Sequence, residues 1–451
     1  MLLTIEKLIY GGDGLARLPA DSGTAEAKGR GKAVFVPFVL ADETIQATLT
    51  EQKSGFARAK ADAVVAPSPH RVPPPCPYFG RCGGCHYQHA TYEYQLEIKR
   101  EILRESLRRT AKLDLPFEIE MHPSPPWNYR NRSRLQVQAG PAFAAGYFKL
   151  ASHELLPVEE CPIISPLINR GIALLWQSGR AGKVPEGVRE VEFFANAEDD
   201  RLLIDVQCGR ESRRAAVRSW TEEWRAAMPE IAGIVAFREA NPGDRKAGAQ
   251  EILVAAGDSY LTYHTKRAAY RVSAGSFFQT NRHLTDELVE IVAAGQSGEL
   301  ALDLYAGAGL FSTALACDFH HVVSVESSQT SSADLAYNRS SHGKAVQATA
   351  EQYLSGTGNT KRAGKKDAVL PNAQKPDLVV VDPPRSGLGE RVTRLLANIG
   401  APRVIYVSCD PATLARDIVT MLAAGYHVEQ VHVVDLFPQT YHLESVVHLV
   451  R

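Results

Sequence analysis

The sequence lacks several features that would define its class at once. Its 451 residues carry 50 lysines and arginines against 51 aspartates and glutamates, so neither sign of charge is in excess. No stretch reaches the roughly 18 consecutive apolar residues of a membrane span, and the first residues show no basic-then-apolar leader. We therefore expect a cytoplasmic protein with no membrane partner and no evident obligate protein partner. A nucleic acid would have to meet local basic patches, because the net charge is −1.

Cysteine is also scarce and unevenly placed. There are seven cysteines, an odd number, and three of them lie within ten residues. This is not the even framework of a secreted disulfide protein, so we expect a reducing compartment with metal-binding or catalytic thiols. Two of the scattered cysteines, Cys208 and Cys317, are expected to be ordinary buried thiols.

The pattern of apolar residues divides the chain into three parts. Residues 1–62 show short apolar runs between turn signals, which predict a small β-barrel. Residues 63–272 begin with a proline-rich linker and an amphipathic helix, and their later alternating segments predict a mixed, strand-rich domain. In residues 273–451 apolar strands alternate with helices, which predicts an α/β domain of the doubly wound, Rossmann-like class. A polar, cationic stretch at 355–376 is predicted to be a surface insertion.

A glycine-rich turn opens the third part. In "LDLYAGAGLF" an apolar strand runs into a turn where Gly307 allows close approach of the backbone to a ligand. Glu326 ends the next predicted strand, where an acid can accept both ribose hydroxyls of a nucleoside. The third glycine of a dinucleotide motif is absent, and an acid, Asp303, precedes the turn. We therefore interpret the site as one for S-adenosylmethionine rather than NAD, with a tight turn and a solvated Glu326 as the alternative.

Two further strand ends fall at the same edge of the predicted sheet. Asp382 follows "DLVVV", and Cys409 follows "RVIYVS". In open α/β sheets ligands bind outside the carboxyl ends of the strands, so these groups should face one crevice. Asp410 is expected to cap the following helix, whose start would favour a thiolate at Cys409. A buried structural thiol is the alternative.

A nucleophilic thiol has a use if the substrate atom is C5 of a pyrimidine. A thiolate that adds to C6 makes C5 enolate-like, so that C5 can accept a methyl group, and a base then removes the C5 proton. In "FPQTYHLESVVHL", Glu444 could have a raised pKa and act as this base. Two polar residues on an edge strand, Glu444 and His442, are the alternative.

Four cysteines have the spacing of metal ligands. In "CPYFGRCGGC", Cys76, Cys82 and Cys85 form a C-x5-C-x2-C pattern, and Cys161 lies further along in "VEECPII". Four thiolates can hold a [4Fe–4S] cluster or a zinc ion. Spacing alone leaves both open.

A local basic patch lies in "WNYRNRSRL". Arg130, Arg132 and Arg134 alternate, so an extended segment would present them on one face, where arginines can pair with RNA phosphates. The neighbouring Trp127 and Tyr129 could stack on bases. A solvated polar edge is the alternative.

Taken together, these motifs resemble the S-adenosylmethionine-dependent RNA uracil-C5 methyltransferases. The resemblance rests on "LDLYAGAGLF", "VVVDPPRSGL", "VIYVSCDPATLARD", "FPQTYHLES" and "GSFFQTN", while "YGGDGLARL" resembles the family's TRAM barrel, an OB-like RNA-binding module. It implies Cys409 as the nucleophile and Glu444 as the proton acceptor. The residues that it implies around the cofactor and target base are Gln279, Tyr305, Glu326 and Asp382.

The resemblance carries further implications. It favours a [4Fe–4S] cluster at the four cysteines, and it makes 23S ribosomal RNA the expected substrate, with transfer RNA second. It also implies that the helix within residues 93–120 packs on the catalytic domain. Many members carry asparagine after the glycine turn, where this chain has Leu310, which puts a cofactor contact by that side chain in question. A non-catalytic RNA-binding module is the rival from another class, but it would have no use for Cys409 and Glu444 together.

Overall fold

The computed structural model describes residues 1–18, 31–239, 250–356 and 375–451. The insertion predicted at 355–376 lies almost entirely outside the described residues. In the part of the chain that is described, no helix combines the length and the apolar character needed to cross a membrane.

The N-terminal part forms one six-stranded sheet. Its strands are β1 (Leu2–Thr4), β2 (Lys7–Leu8), β3 (Asp13–Arg17), β4 (Ala33–Pro37), β5 (Thr44–Gln52) and β6 (Phe56–Ala66). They lie in the order β1-β5-β6-β4-β3-β2. Because side chains alternate along a strand, Val34 and Val36 point inward and share a small core with Ile5 and Ile45. The sheet therefore has its own core, and its last strand continues past the predicted boundary at residue 62.

The next elements belong in space to the third part of the chain. They are helix α1 (Tyr92–Ser106), a π-helical turn at Leu107–Ala111 and strand β7 (Glu120–His122). The apolar face of the helical segment packs against the third part of the chain, where Leu103 and Leu107 share a core with Leu414 and Ile418. The helix therefore packs on the third part of the chain despite its early position in the sequence.

The middle part is a seven-stranded mixed sheet with two helices and a separate hairpin. Its elements are β8 (Arg132–Gln138), β9 (Ala144–Phe148), β10 (Leu155–Pro157), α2 (Pro166–Arg180), β11 (Val188–Ala195), β12 (Leu202–Cys208), α3 (Arg214–Ala227), β13 (Ile231–Glu239) and β14 (Gln250–Gly257), followed by the hairpin strands β15 (Tyr260–His264) and β16 (Ala269–Ser273). The sheet order is β10-β9-β8-β11-β12-β13-β14, in which only β12 and β13 are parallel neighbours. Ile172 of α2 and Trp224 of α3 share a core with Phe193 of the sheet. This is the strand-rich mixed architecture that the alternating segments predict.

The third part is an α/β domain. Its elements are α4 (Thr285–Ala293), β17 (Gly298–Leu304), α5 (Leu310–Leu315), β18 (Phe319–Glu326), α6 (Gln329–Asn338), β19 (Gly343–Gln347), α7 (Ala350–Leu354), β20 (Leu378–Val381), α8 (Gly389–Ile399), β21 (Arg403–Ser408), α9 (Pro411–Ala423), β22 (His427–Val434) and β23 (Glu444–Val450). The sheet order is β19-β18-β17-β20-β21-β23-β22-β7, with the strands from β19 to β21 parallel. Because helices cover both faces, these strands are almost continuously apolar. The chain order reverses at β17, which has β18 on one side and β20 on the other, and such a switch point is where ligands bind.

Candidate active site

The predicted site residues follow the carboxyl ends of neighbouring strands. Tyr305 follows β17, Glu326 ends β18, Asp382 follows β20 and Cys409 follows β21, while Glu444 opens the antiparallel strand β23. In the β21–β23 pair, residues 408 and 445 face each other. The chain therefore brings the proposed nucleophile and proton acceptor to the same edge of the sheet.

The glycine turn is fixed by Glu326. The backbone N–H of Gly307 donates to Oε2 of Glu326 at 2.9 Å, and that of Ser328 donates to Oε1 at 2.6 Å. Gly307 has φ of 55°, and Tyr305 has φ of 63°, a left-handed conformation that is strained for a residue with a side chain. Oε1 also accepts a longer hydrogen bond of 3.4 Å from the Ser327 hydroxyl, whereas Oε2 keeps a lone pair for a ligand hydroxyl. The turn thus holds the Gly307 backbone and the Glu326 carboxylate side by side, an arrangement that suits a nucleoside ligand.

Two acids at this edge are poised for a cation. Asp303 is fully buried, accepts a hydrogen bond from Ser312, and keeps its Oδ1 without a partner among the described residues. Burial raises the pKa of Asp303 to about 7. Burial, together with the charge of Asp303, likewise raises the pKa of Asp382 to about 7. Because an opposite charge favours ionised carboxylates, these acids fit a ligand that carries a positive charge.

Leu310, which departs from the family pattern, is buried in an apolar core. This core includes Phe278 and Tyr270, and the Leu310 carbonyl accepts the Tyr270 hydroxyl at 3.0 Å. A polar contact from position 310 to a ligand is therefore replaced here by packing of the helix α5 onto its neighbours.

Gln279 lies in a segment anchored to the turn after β22. The nearby Asn281 donates its side-chain N–H to the carbonyl of Leu436 at 3.2 Å, and Gln279 itself is buried. Within the described ranges, no hydrogen bond joins the Gln279 side chain to Tyr305 or Glu326. Its cofactor role stays a prediction.

Cys409 sits between the end of β21 and the start of α9. Asp410 caps the helix as predicted, because its Oδ1 accepts from the backbone of Ala412 at 3.0 Å and of Thr413 at 2.9 Å. The accompanying expectation of a thiolate is wrong for the protein without ligands. Burial, followed by the charges of Glu444 and Asp382, raises the pKa of the Cys409 thiol to about 12.

Glu444 has the raised pKa predicted for a proton acceptor. It is 4% exposed, and burial together with the charge of Asp382 raises its pKa well above the usual carboxyl range. The sequence reasoning missed the cation that opposes this shift. Arg385 lowers the pKa of both Glu444 and Cys409, and its Nη2 lies 3.1 Å from Nδ1 of His442. The sequence signal for Arg385 was its position in the D-P-P-R motif, directly after the strand end at Asp382.

The N-terminal sheet reaches the site through Tyr10. The Tyr10 hydroxyl donates to the carbonyl oxygen of Cys409 at 3.1 Å, and its ring meets that of Tyr441 edge to face. Burial, then the charge of Asp410, raises the pKa of Tyr10, so the phenol remains a hydrogen-bond donor. The sequence gave no sign of this contact, because 399 positions separate Tyr10 from Cys409.

The four predicted metal ligands come together. Cys76, Cys82, Cys85 and Cys161 line one cavity of about 290 Å³, which is also lined by His442. Burial raises the pKa of the Cys161 thiol to about 12, and the charges of Cys76 and Cys82 add to this shift. A metal ion that binds such a group of protonated thiols deprotonates them, and the resulting thiolates are its ligands. The cavity therefore fits a metal centre beside the strand that carries Glu444.

The two remaining cysteines differ from each other. Cys208 is buried, as predicted, whereas Cys317 is exposed. The prediction is wrong for Cys317 because helix α5 ends at Leu315, which leaves Cys317 in the turn before β18.

The three predicted RNA-binding arginines have different surroundings. Arg132 has a 12% exposed side chain that lies 3.7 Å from the Glu192 carboxylate and 4.3 Å over the Phe194 ring. It is therefore engaged within the protein. Arg134 is 51% exposed, although it pairs with Glu192 at 2.9 Å. Arg130 lines the cysteine cavity. Arg130 is also half-buried and donates its Nε–H to the carbonyl of Arg132 at 2.9 Å. Arg134 is thus the most exposed of the three, and their RNA contacts stay predictions.

The aromatic residues near these arginines also differ. Tyr129 is fully buried and donates its hydroxyl to the carbonyl of Pro438 at 3.0 Å, so its ring cannot stack on a base. The stacking prediction is wrong for Tyr129, while Trp127 is half-buried. Phe277 is 59% exposed in the "GSFFQTN" motif and is an open ring that the sequence reasoning did not single out.

Comparison with known proteins places this architecture among RNA-modifying enzymes. The family model described as tRNA (uracil-5-)-methyltransferase matches residues 91–451. An uncharacterised RNA methyltransferase of Aquifex aeolicus is 31% identical, with 98% of this chain and 97% of that protein covered. Another, from Streptomyces avermitilis, is 32% identical with 92% of each covered. The crystal structure of Pyrococcus abyssi tRNA (uracil-54, C5)-methyltransferase in complex with S-adenosyl-L-homocysteine has the same fold, with a TM-score of 0.72 and 24% identity over all of both chains.

Proposed function

Because this chain belongs to the tRNA (uracil-5-)-methyltransferase family, we propose that it transfers a methyl group from S-adenosylmethionine to C5 of a uridine in RNA, with Cys409 as nucleophile and Glu444 as base. The observation that carries this proposal is the shared environment of three groups at one sheet edge. Asp382 and Glu444 both raise the pKa of Cys409, and Asp382 also raises that of Glu444. Such strong mutual effects are typical of catalytic groups.

The proposed chemistry needs both residues. S-adenosylmethionine, when bound, supplies an electrophilic methyl group. The Cys409 sulfur adds to C6 of the uracil, and C5 becomes an enolate-like carbon that can accept that group. Glu444 then takes the C5 proton, the C5–C6 double bond re-forms, and the Cys409 sulfur leaves as thiolate. A uridine inside a stack cannot reach the crevice, so the target must be flipped or unpaired.

Charge balance explains how the thiolate can form. In the protein alone the thiol has a pKa of about 12, because it is half-buried beside two acids. A cationic ligand next to Asp382 favours the ionised form of Cys409 in the same way as Arg385 does. Nucleophile activation would thus follow ligand binding, which keeps the thiol unreactive in the free protein.

The proposed cofactor contacts follow from the glycine turn. Glu326 would accept the ribose hydroxyls, with Tyr305, Gly307 and Gln279 beside the nucleoside. The support is the hydrogen bond that fixes the Glu326 carboxylate against the turn and the orphan oxygen of the buried Asp303. Both features are stabilised by a ligand that brings hydroxyl donors and a positive charge.

The N-terminal sheet is proposed to be a TRAM-type RNA-binding module. Its support is the Tyr10 contact to the Cys409 carbonyl, which sets the sheet at the rim of the crevice. The exposed Arg134 would pair with phosphates on the approach.

Ribosomal RNA is the proposed substrate, with transfer RNA as the second candidate. The sequence resemblance favours 23S ribosomal RNA, whereas the family model and the Pyrococcus enzyme are both named for tRNA. Unmodified ribosomal and transfer RNA should be incubated separately with the protein and S-adenosylmethionine, and methylated nucleosides mapped by mass spectrometry. We expect 5-methyluridine in 23S ribosomal RNA. Methylation of transfer RNA alone would overturn the substrate assignment, and 5-methyluridine in neither RNA would contradict the proposed function.

The four cysteines are proposed to hold a [4Fe–4S] cluster. All four cysteines line one cavity of about 290 Å³, and burial raises the pKa of the Cys85 and Cys161 thiols, so a metal centre that ionises them would suit the cavity. The sequence resemblance favours a [4Fe–4S] cluster over a zinc ion at this place.

Anaerobic purification tests the cluster directly. The protein should be brown and contain about four iron and four sulfide ions per chain, and Cys161→Ser should lose both because it removes one ligand. Cys317→Ser is the matched control, since Cys317 is an exposed thiol elsewhere. A colourless wild-type protein loaded with zinc would overturn the assignment.

A further inference from the structure

A second group of possible metal ligands lies at the edge of the catalytic sheet. Strand β7 pairs in parallel with β22, so that Glu120 faces His432 and His122 lies two residues further along. The His122 Nε2 and His432 Nδ1 atoms are 3.1 Å apart, and the Glu120 Oε2 atom is 3.4 Å from the same Nδ1. All three ligand atoms lie within 4.8 Å of one another.

The spacing of these atoms fits one small cation. In a tetrahedral site with bonds of about 2.0–2.1 Å, neighbouring ligand atoms lie about 3.3 Å apart. The two separations at His432, 3.1 Å to His122 and 3.4 Å to Glu120, bracket that value. A hydrogen bond between the imidazoles accounts for the first separation alone. A shared cation accounts for both.

A fourth residue orients His122 for this role. The Glu287 Oε1 atom of helix α4 lies 2.8 Å from His122 Nδ1. With its Nδ1–H donated to this carboxylate, the neutral ring has its lone pair on Nε2, the atom that faces His432. Carboxylate–histidine pairs of this kind fix the tautomer of metal-bound histidines and raise their basicity.

The contacts of His432 point to the same centre. Its ring is 6% exposed, and its Nε2 atom has no hydrogen-bond partner among the described residues. The polar contacts that orient the ring are therefore those of Nδ1 with His122 and Glu120. The Glu120 side chain is 62% exposed, which leaves a route for an ion from solvent to this atom.

We propose that Glu120, His122 and His432 bind a divalent transition-metal ion, with zinc as the expected ion and Glu287 as an outer partner of His122. Imidazole with carboxylate suits zinc and its neighbours, whereas magnesium and calcium prefer oxygen ligands alone. Three protein ligands leave one tetrahedral position for water. The site is independent of the methyl-transfer chemistry and distinct from the four cysteines.

The location indicates a structural consequence. The carbonyl of His122 accepts the backbone N–H of Asp435 at 3.0 Å, at the start of the turn that connects β22 to β23. A metal ion would tie the short edge strand β7 to the strand that leads into this turn. Zinc should therefore raise the thermal stability of the protein.

Zinc binding by the full chain, with its cysteine centre kept loaded under anaerobic conditions, tests the proposal. We expect one zinc ion per chain after dialysis, with nitrogen and oxygen ligands at about 2.0–2.1 Å in zinc-edge X-ray absorption and no sulfur at about 2.3 Å. His122→Asn and His432→Asn should each lose this ion and the zinc-dependent rise in Tm. Sulfur ligation, or zinc content unchanged in both variants, would overturn the site.

Two further variants keep the test interpretable if the histidine variants fail to fold. Glu287→Gln alters a half-exposed side chain and should weaken zinc binding by about 10- to 100-fold while the Tm without zinc stays unchanged. His264→Asn is the matched control, because His264 also lies near a glutamate, at 3.5 Å from Glu198, but on the middle domain. Equal zinc affinity in Glu287→Gln, His264→Asn and wild type would contradict the outer-partner role.

Discussion

Replacement of Cys409 by alanine is expected to abolish methyl transfer, by about 10⁴-fold or more, because the nucleophile acts as part of a unit. Without the sulfur, C6 of the uracil gains no substituent and C5 stays a poor nucleophile. RNA that contains 5-fluorouridine gives the direct measurement. The wild type should form a covalent complex with this RNA in the presence of S-adenosylmethionine, since fluorine at C5 cannot leave as a proton does, and Cys409→Ala should form none.

The control and the pH dependence sharpen this result. Cys208→Ala removes a buried thiol of the middle domain and should leave the complex intact. In wild type the complex should form faster as pH rises, because the Cys409 thiol has a raised pKa, about 12 without ligands, and only its ionised form attacks. A complex that persists in Cys409→Ala would exclude this residue as the nucleophile.

Replacement of Glu444 by glutamine is expected to trap the enzyme on its natural substrate. The amide has nearly the same shape but cannot accept the C5 proton, so methylated RNA should remain bound through Cys409. Turnover should fall by about 10²- to 10⁴-fold, the usual contribution of a general base. Denaturing gel electrophoresis of protein mixed with uridine-containing RNA would show the retained complex.

The pH profile separates a base from a structural role. Burial and Asp382 raise the pKa of Glu444, so this carboxyl is protonated, and unable to act as base, up to a higher pH than an ordinary carboxyl. Wild-type turnover should therefore increase with pH as Glu444 ionises. The residual turnover of Glu444→Gln should depend less on pH, because residue 444 no longer ionises. Glu390→Gln, on the exposed surface of α8, is the control. Free turnover without accumulated complex in Glu444→Gln would remove it as the base.

The sequence allowed prediction of the features that depend on neighbours along the chain. The strand ends at Glu326 and Asp382, the cap at Asp410 and the glycine turn all arise from local turn and helix chemistry, and the structure contains each of them. The convergence of four cysteines was also predictable, because metal-ligand spacing is a local signal for three of them.

The remaining features depend on which surfaces meet in three dimensions. Tyr129 and Arg132 lie in a segment that reads as a polar surface, but Tyr129 is buried with its hydroxyl on the Pro438 carbonyl, and Arg132 lies against Glu192 and the Phe194 ring. The thiolate predicted at Cys409 failed for a related reason, since the pKa is set by buried acids from other strands. The Tyr10 contact and the ligand group at His432 join residues hundreds of positions apart, for which a single sequence carries no signal.

The eight-stranded sheet has a consequence for how the protein reaches its folded state. Its edge strand β7 and the helix α1 precede the seven-stranded middle sheet in the chain. The middle sheet is therefore inserted between two segments that share one core. Pairings this distant in sequence form slowly. A fragment that starts after the middle domain would expose the edge of β22 and the apolar face of α9, and both are surfaces that promote aggregation. Folding of the α/β domain is thus complete only when the turn after β22 meets a helix translated 343 positions earlier, as in the hydrogen bond from the Tyr92 hydroxyl to Asp435.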